Sequence, residues 1–422
     1  MNILKWDNNL KIRLFGEGVF NLLFWMFFPF MAIYFAETLG KVTSGLLLVL
    51  SQLISVFANL FGGYLVDRYG RKIIMVWACF GQAVSFVFFT LANSPILNSP
   101  MLTFISFTTL GIMGSVYWPA SRAMVVDIVE ESKQAEVFAV FYTAININVV
   151  IGPIIGAIFF FDYRFYLLLT CTLVTFLLTF VIAKYIRETK PEGVIVKEVS
   201  GWKGHIKEQF SNYSIIINDK VFLLFIIAGI LLSQTFMQLD LLLPVYIKEV
   251  VSNTKVTLLG LFSFNISGEK LFSWIISENG LLVVLFTVLV SKIAAFMKEK
   301  TVFIASSILY AISMIVFSES VVFWGFIIGM VIFTFGELIT VGVNESYVGK
   351  LSPEHMRGQY FAAASLRYTI GRTIAPLSIP LSAFIGFKYT FLVLAILAVG
   401  SAIIYQIMFR IVEKKEKLKR VV

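Results

Sequence analysis

Long, continuously apolar runs alternate along this chain with short charged connections. A run of about 20 apolar residues matches the hydrocarbon thickness of a bilayer. Twelve such runs fall at roughly 12–36, 43–66, 73–93, 101–127, 135–160, 164–187, 220–247, 279–297, 301–318, 320–347, 358–385 and 387–412. They are continuous rather than alternating in polarity, which predicts helices and excludes the alternating segments of a membrane barrel. The expected fold class is therefore an all-α membrane protein, with twelve transmembrane helices in two six-helix bundles.

Polar positions supply the organisation. The longest polar stretch, 188–219, falls midway through the twelve runs and predicts a cytoplasmic linker between an N-terminal bundle (1–187) and a C-terminal bundle (220–422). Val137, Phe138, Pro153 and Tyr166 match Tyr360, Phe361, Pro376 and Tyr389 at one common offset, as parallel repeats would. The connection 249–279 is read as an external cap, with Val256–Phe262 and Leu271–Ile276 amphipathic enough to lie on the membrane surface.

Composition agrees: the chain has 422 residues, of which 59% are hydrophobic, 16% aromatic and 14% charged, and mean hydropathy is +0.88. The net charge of +9 does not imply nucleic acid. Its cations gather at alternate connections, around Lys5–Arg13, Arg68–Lys72, Lys184–Lys220, Lys292–Lys300 and Arg410–Arg420. The positive-inside rule then places both termini in the cytoplasm, as an even number of spans requires. Met1–Lys11 is too short, and the apolar run after it too long, for a cleavable signal peptide. Cys79 and Cys171 lie inside apolar runs and His205 and His355 are isolated, so neither a disulfide nor a metal cluster is expected. With no nucleophile, metal or phosphate-binding constellation, an enzyme is not expected either, and no cofactor is called for.

Charges at membrane depth are costly, so each is a functional candidate. Span one carries Glu17, with Arg13 a turn before it and Asn21 a turn after. The pair is read either as a plain i,i+4 ion pair or as a proton or cation site. Span seven carries Gln234, Gln238 and Asp240 ahead of Pro244. Asp240 has no basic residue within a turn, so it either carries a proton or snorkels to the interface. In span ten, Thr334, Glu337, Val341 and Asn344 share one helical face. Span eleven adds Arg367 and Arg372, either of which is in range to pair with Glu337. Span four ends in Arg122 and Asp127, near the loop Asp67-Arg68-Tyr-Gly70-Arg71-Lys72, and together these form either an inner latch or an orientation anchor. Span five holds Gly152-Pro153-Ile-Ile-Gly156, a site of close helix packing and local bending on physical grounds. Aromatics such as Phe24, Trp25, Phe28, Trp118, Phe141, Tyr142 and Phe236 either pack, face lipid or line a cavity.

The loop Gly63-Tyr-Leu-Val-Asp67-Arg68-Tyr-Gly70-Arg71-Lys72 resembles the signature loop of the major facilitator superfamily. Gly152-Pro153-x-x-Gly156, Arg122-Ala-Met-Val-Val-Asp127, Met237-Gln238-x-Asp240-x-x-x-Pro244 and Phe335-Gly336-Glu337 are similar to phrases of its twelve-helix drug:proton antiporter branch. The resemblance implies a bacterial cell-membrane protein exporting small amphipathic, cationic compounds against protons by alternating access, driven by the proton gradient and acting as a monomer. By the same resemblance Asp240 and Glu337 are the leading coupling residues and Asp67 and Asp127 the gating ones. Depth in the membrane adds Glu17, Arg367 and Arg372 as coupling candidates. Their place in the motifs named above brings in Arg68, Gly70, Arg71, Lys72, Arg122, Gly152, Pro153 and Gly156 as the remaining gating candidates. The chain departs from the pattern in two places. Phe141 and Tyr142 stand where some members carry an acid, and 291–301 keeps three lysines without the Asp-Arg-x-Gly-Arg phrase. A lipid or lipid-linked glycan flippase, a specific metabolite or sugar carrier, and a sensor built on the transporter fold remain alternatives.

Overall fold

The computed structural model describes residues 6–190, 204, 219–251, 254–258, 262–353 and 356–421. Apart from its ends and residue 204, the linker expected at 188–219 lies outside the described residues, as do His205 and His355. Among those described, eleven helices are long and apolar enough to cross a membrane. The last of these, 359–414, contains two spans. Gly386 (φ 81°) interrupts it with a backbone conformation that glycine adopts without a steric penalty. Spans eleven and twelve thus divide at Gly386, and the twelve expected crossings are present. Close contacts group 1–39 with 50–207, and 40–49 with 208–422.

Four spans are broken near mid-length, and proline explains three of the breaks. Proline lacks an N–H and its ring crowds the carbonyl four residues earlier. In span one, Asn8–Phe27 and Met31–Leu39 are joined by a 3₁₀ turn over Phe28–Phe30 that contains Pro29. Span seven runs Lys220–Phe236, passes through a 3₁₀ turn at Met237–Leu239, and resumes at Leu242–Val250. Pro244 releases the carbonyl of Asp240 there. Span eleven breaks at Ser365 and again in a 3₁₀ turn at Ala375–Leu377, where Pro376 releases the carbonyl of Arg372. Span ten has no proline, yet Phe323–Leu338 ends and Val341–Leu351 begins anew. Here Thr340 Oγ1 donates to the Glu337 carbonyl at 3.0 Å, the side-chain-to-backbone bond that competes with a helix.

Other prolines are absorbed. Span four, Pro100–Ile128, continues through Pro119. The carbonyl that Pro119 frees, on Ser115, accepts instead from Asn59 Nδ2 of span two at 3.0 Å. Span five, Glu131–Asp162, likewise continues through Pro153.

The reading of 249–279 needs correction. A β-hairpin pairs β1 (Thr254–Leu258) with β2 (Phe262–Ile266), Thr254 opposite Ile266. Span eight then starts at Gly268 rather than 279 and runs to Ala295. Leu271, Phe272, Ile275 and Ile276 are fully buried in it rather than lying on a membrane surface. The polar residues Ser273, Ser277, Glu278 and Asn279 masked this first half of the span in a hydropathy reading.

Candidate transport site

In the N-terminal unit, Glu17 is enclosed by donors. Arg13 Nε donates to Glu17 Oε1 at 2.9 Å, and the hydroxyls of Tyr117 and Ser121 donate to the same oxygen at 2.9 and 2.8 Å. Arg13 also bonds Ser121 and lies 4.9 Å over the Phe141 ring. Asn21 Nδ2 turns back to the Glu17 carbonyl at 2.8 Å. The i,i+4 pair is therefore formed and buried, and it ties span one to span four. Beside it lies a small cavity lined by Glu17, Asn21, Gln82, Tyr117 and Trp118.

The signature loop is drawn together by charge. Arg71 Nε meets Asp127 Oδ2 at 2.8 Å, and Arg71 Nη1 lies 3.9 Å from Asp67. Thr189 Oγ1 donates to the same Asp127 oxygen at 3.1 Å, and Lys190 Nζ to the Arg68 carbonyl at 2.9 Å. The Glu188 carboxylate, unforeseen from sequence, accepts from the backbone N–H groups of Arg71 (2.8 Å) and Lys72 (3.1 Å), capping the start of span three (Arg71–Ala92). It also accepts from the N–H groups of Thr189 and Lys190 at 2.9 and 3.1 Å. Partial burial pushes the Glu188 carboxyl up, but these four donors outweigh it and hold its pKa below the ordinary value of 4.5. Gly70, at φ 101°, makes room: a Cβ there would stand 2.5 Å from Glu188 Oε2. Arg122 is exposed and stands apart from this cluster. Gly152 and Gly156 lie where span five meets the middle of span one. A Cβ at Gly152 would approach Trp25 Cβ to 2.5 Å, and one at Gly156 would overlap the Met26 carbonyl.

In the C-terminal unit the membrane-depth charges collect at the helix breaks. Asp240 closes the 3₁₀ turn of span seven, and its buried Oδ1 has no hydrogen-bond partner among the described residues. Arg372 and Glu337 both lie within its electrostatic reach. Glu337 Oε2 accepts from Asn279 Nδ2 at 3.2 Å, and the same amide donates to Thr334 Oγ1 at 3.0 Å. Glu337 forms no ion pair with Arg367. That guanidinium donates instead to Asn344 Oδ1 (2.7 Å) and the Ala364 carbonyl (2.9 Å), and lies 4.3 Å over Phe225. The break after Glu337 also separates Thr334 and Glu337 from Val341 and Asn344, so the single polar face expected in span ten is two segments. Gln234 Nε2 donates to the Gly371 carbonyl at 3.2 Å, and Gln238 Oε1 accepts from Ser378 Oγ at 2.6 Å, joining spans seven and eleven.

Sequence reading passed over Glu278, half-buried in span eight with Oε2 enclosed and unpartnered among the described residues. The triplet Ser277-Glu278-Asn279 inside an apolar stretch was the signal; placing it in a loop removed its significance. Asn279, the partner of Glu337, stands at the very edge of the expected run 279–297 rather than mid-span.

An arrangement of half-buried carboxylates at the ends of broken helices can hold protons or cations. Helix C-termini present unpaired carbonyls and partial negative charge, which favour positive ligands.

The family model of the Major Facilitator Superfamily matches residues 14–268 and 258–421. A relative from Planococcus maritimus, named a Na(+), Li(+), K(+)/H(+) antiporter, is 50% identical over 420 residues, covering 98% of this chain and 99% of its own. The uncharacterized MFS-type transporter YhjO of Bacillus subtilis is 25% identical, covering 87% of this chain and 85% of its own. The multidrug resistance protein MdtH of Salmonella choleraesuis is 28% identical over 34% of this chain and 35% of its own. Among solved structures, a POT family transporter in complex with 5-aminolevulinic acid superposes with a TM-score of 0.78 at 18% identity, over 96% of this chain and 97% of that one. Twelve apolar spans, the signature loop folded onto Asp127, and a match covering nearly the whole chain lead to one conclusion: this multi-pass membrane protein belongs to the major facilitator superfamily.

Proposed function

We propose that this protein is a proton-coupled antiporter that exports cations across the bacterial cell membrane, and that small monovalent cations are its foremost substrates. The observation that carries this reading is Asp240. It is a half-buried carboxylate with an enclosed, unpartnered oxygen, at a helix break and within electrostatic reach of Glu337. Two such carboxylates hold a proton or a hard cation in overlapping space, and mutually exclusive occupancy is sufficient for exchange. The antiporter named for Na(+), Li(+) and K(+), 50% identical over nearly the whole chain, supports the same substrate class.

In the cycle, protons entering from outside neutralise Asp240 and Glu337. Release to the cytoplasm frees the pair for a cation, and the two loaded states bias the bundles 1–187 and 220–422 toward opposite openings through the linker 188–219. Arg372 tunes Asp240, and Arg367 braces span eleven against spans seven and ten. The Asp67–Arg71–Asp127 cluster, with Arg68, Gly70 and Lys72 around it, forms the inner gate. Gly152, Pro153 and Gly156 set the approach of span five to span one, and the Arg13–Glu17 pair fixes span one to span four.

A second reading, export of amphipathic organic cations, is favoured by the aromatic wall in which Phe24 stacks on Phe28 at 4.6 Å and Phe28 on Phe107 at 6.3 Å. The similarity to MdtH points the same way. Everted vesicles with an imposed pH gradient discriminate the two. Adding NaCl, LiCl or KCl should collapse the gradient in the wild type, and Glu337→Gln and Asp240→Asn should abolish that response. Collapse by ethidium alone would favour the second reading, and no response from inserted, folded protein would overturn both.

A further inference from the structure

We propose that Glu278 is a further proton-carrying residue of the exchange cycle, adding its proton to those borne by Asp240 and Glu337. The proposal rests on the antiport reading above.

Glu278 lies ten residues from the Gly268 end of span eight, about 15 Å along the axis at about 1.5 Å per residue. Its Oε2 is enclosed without a hydrogen-bond donor among the described residues. An ionised carboxylate in such surroundings is disfavoured unless a cation or donor accompanies it.

The charges on the elements packed against span eight are engaged elsewhere. On the Leu242–Val250 helix, Lys248 bonds Glu269 and Glu249 pairs with Lys41. In span ten, Lys350 bonds Glu299, and Glu337 accepts from Asn279. Glu345 on Val341–Leu351 is itself an acid. On span eight, Lys270 stands two turns before Glu278 and Lys292 about four turns after it. Glu278 is thus left to be neutral, by binding a proton, whenever water does not reach it.

Its position ties that proton to the transport site. The next residue, Asn279, hydrogen-bonds Glu337 and Thr334, so a rotation of span eight that moves Glu278 also moves the donor on Glu337. As the neutral acid Glu278 crosses with the closed site. On the cytoplasmic side it releases its proton to water and becomes a carboxylate, and a proton from outside restores it.

The test is the proton-to-sodium ratio of purified protein in liposomes, read from the pH gradient that just balances a set sodium gradient. Glu278→Gln should lower the ratio by about one proton, and Glu278→Asp should restore it. An unchanged ratio in Glu278→Gln overturns the proposal while leaving antiport intact. A wild type that exchanges no proton for any cation overturns the antiport reading, and this proposal with it. Should Glu278→Gln fail to turn over, protons released on adding NaCl to the detergent-solubilised protein are counted instead. About one fewer proton per chain than wild type supports the proposal, and equal release overturns it.

Discussion

Glu17 and Asp240 are both carboxylates at membrane depth, and their surroundings assign them different work. Glu17 has a guanidinium and two hydroxyls on one oxygen, so its charge is met where it stands. Asp240 keeps a bare buried oxygen, which the proposed exchange fills with a proton or a cation in turn. This difference predicts opposite phenotypes. Glu17→Gln leaves Arg13 buried beside a neutral amide, and removing one partner of a buried pair costs about 3–5 kcal/mol. Thermal unfolding in detergent should show that loss, with much of it recovered in Arg13→Met/Glu17→Gln. Asp240→Asn should leave the unfolding temperature close to wild type while abolishing cation-driven proton movement. If both substitutions destabilise equally, the division of labour is wrong. Spacing within a helix already suggested the Arg13–Glu17 pair. Tyr117 and Ser121, a hundred residues away in sequence, carried no such signal.

At the scale of elements, the breaks place the chemistry. Pro29, Pro244 and Pro376 mark three of them in the sequence, and two release the carbonyls of Asp240 and Arg372. The break in span ten depends on Thr340 bonding back to Glu337, a choice that β-branched threonine makes in some helices and not in others. Glycines mark other element-level constraints. Gly386→Ala forces a side chain into a region nearly reserved for glycine, at a cost of about 1–3 kcal/mol. Heat denaturation should report it, as a lowered unfolding temperature. Gly156→Val should separate spans five and one, seen as loss of a disulfide between cysteines introduced across that contact.

The Glu188 clamp gives a pH dependence. Its carboxyl titrates below 4.5, so its contribution is present above that value and is lost as pH falls through the lowered folded-state pKa. Amide exchange at Arg71, Lys72, Thr189 and Lys190, corrected for its intrinsic rate, should therefore rise on acidification. In Glu188→Gln it should be raised already at neutral pH. Unchanged protection in that variant would show that the clamp does not hold the loop.

For the whole molecule, we propose that both termini face the cytoplasm, because cations gather at alternate connections. A fluorescent protein fused after Val422 should fold and emit, while a periplasmic phosphatase fused there should stay inactive. The reverse pattern would invert the assignment of every inner and outer residue named above, including the direction of the proton path.

The apolar runs alone determined the number of spans, because satisfying backbone groups in lipid leaves the chain few options. They also determined which charges are suspect, since an ion at membrane depth is costly wherever the helix packs. Family membership was legible from one charged loop and a few short phrases. Tertiary structure decided the rest. It showed Arg367 bound to Asn344 rather than to Glu337, brought Glu188 onto the start of span three, and moved Glu278 from a connection into the middle of a span. Those outcomes depend on which helices adjoin, and hydropathy along one chain carries no information about its neighbours.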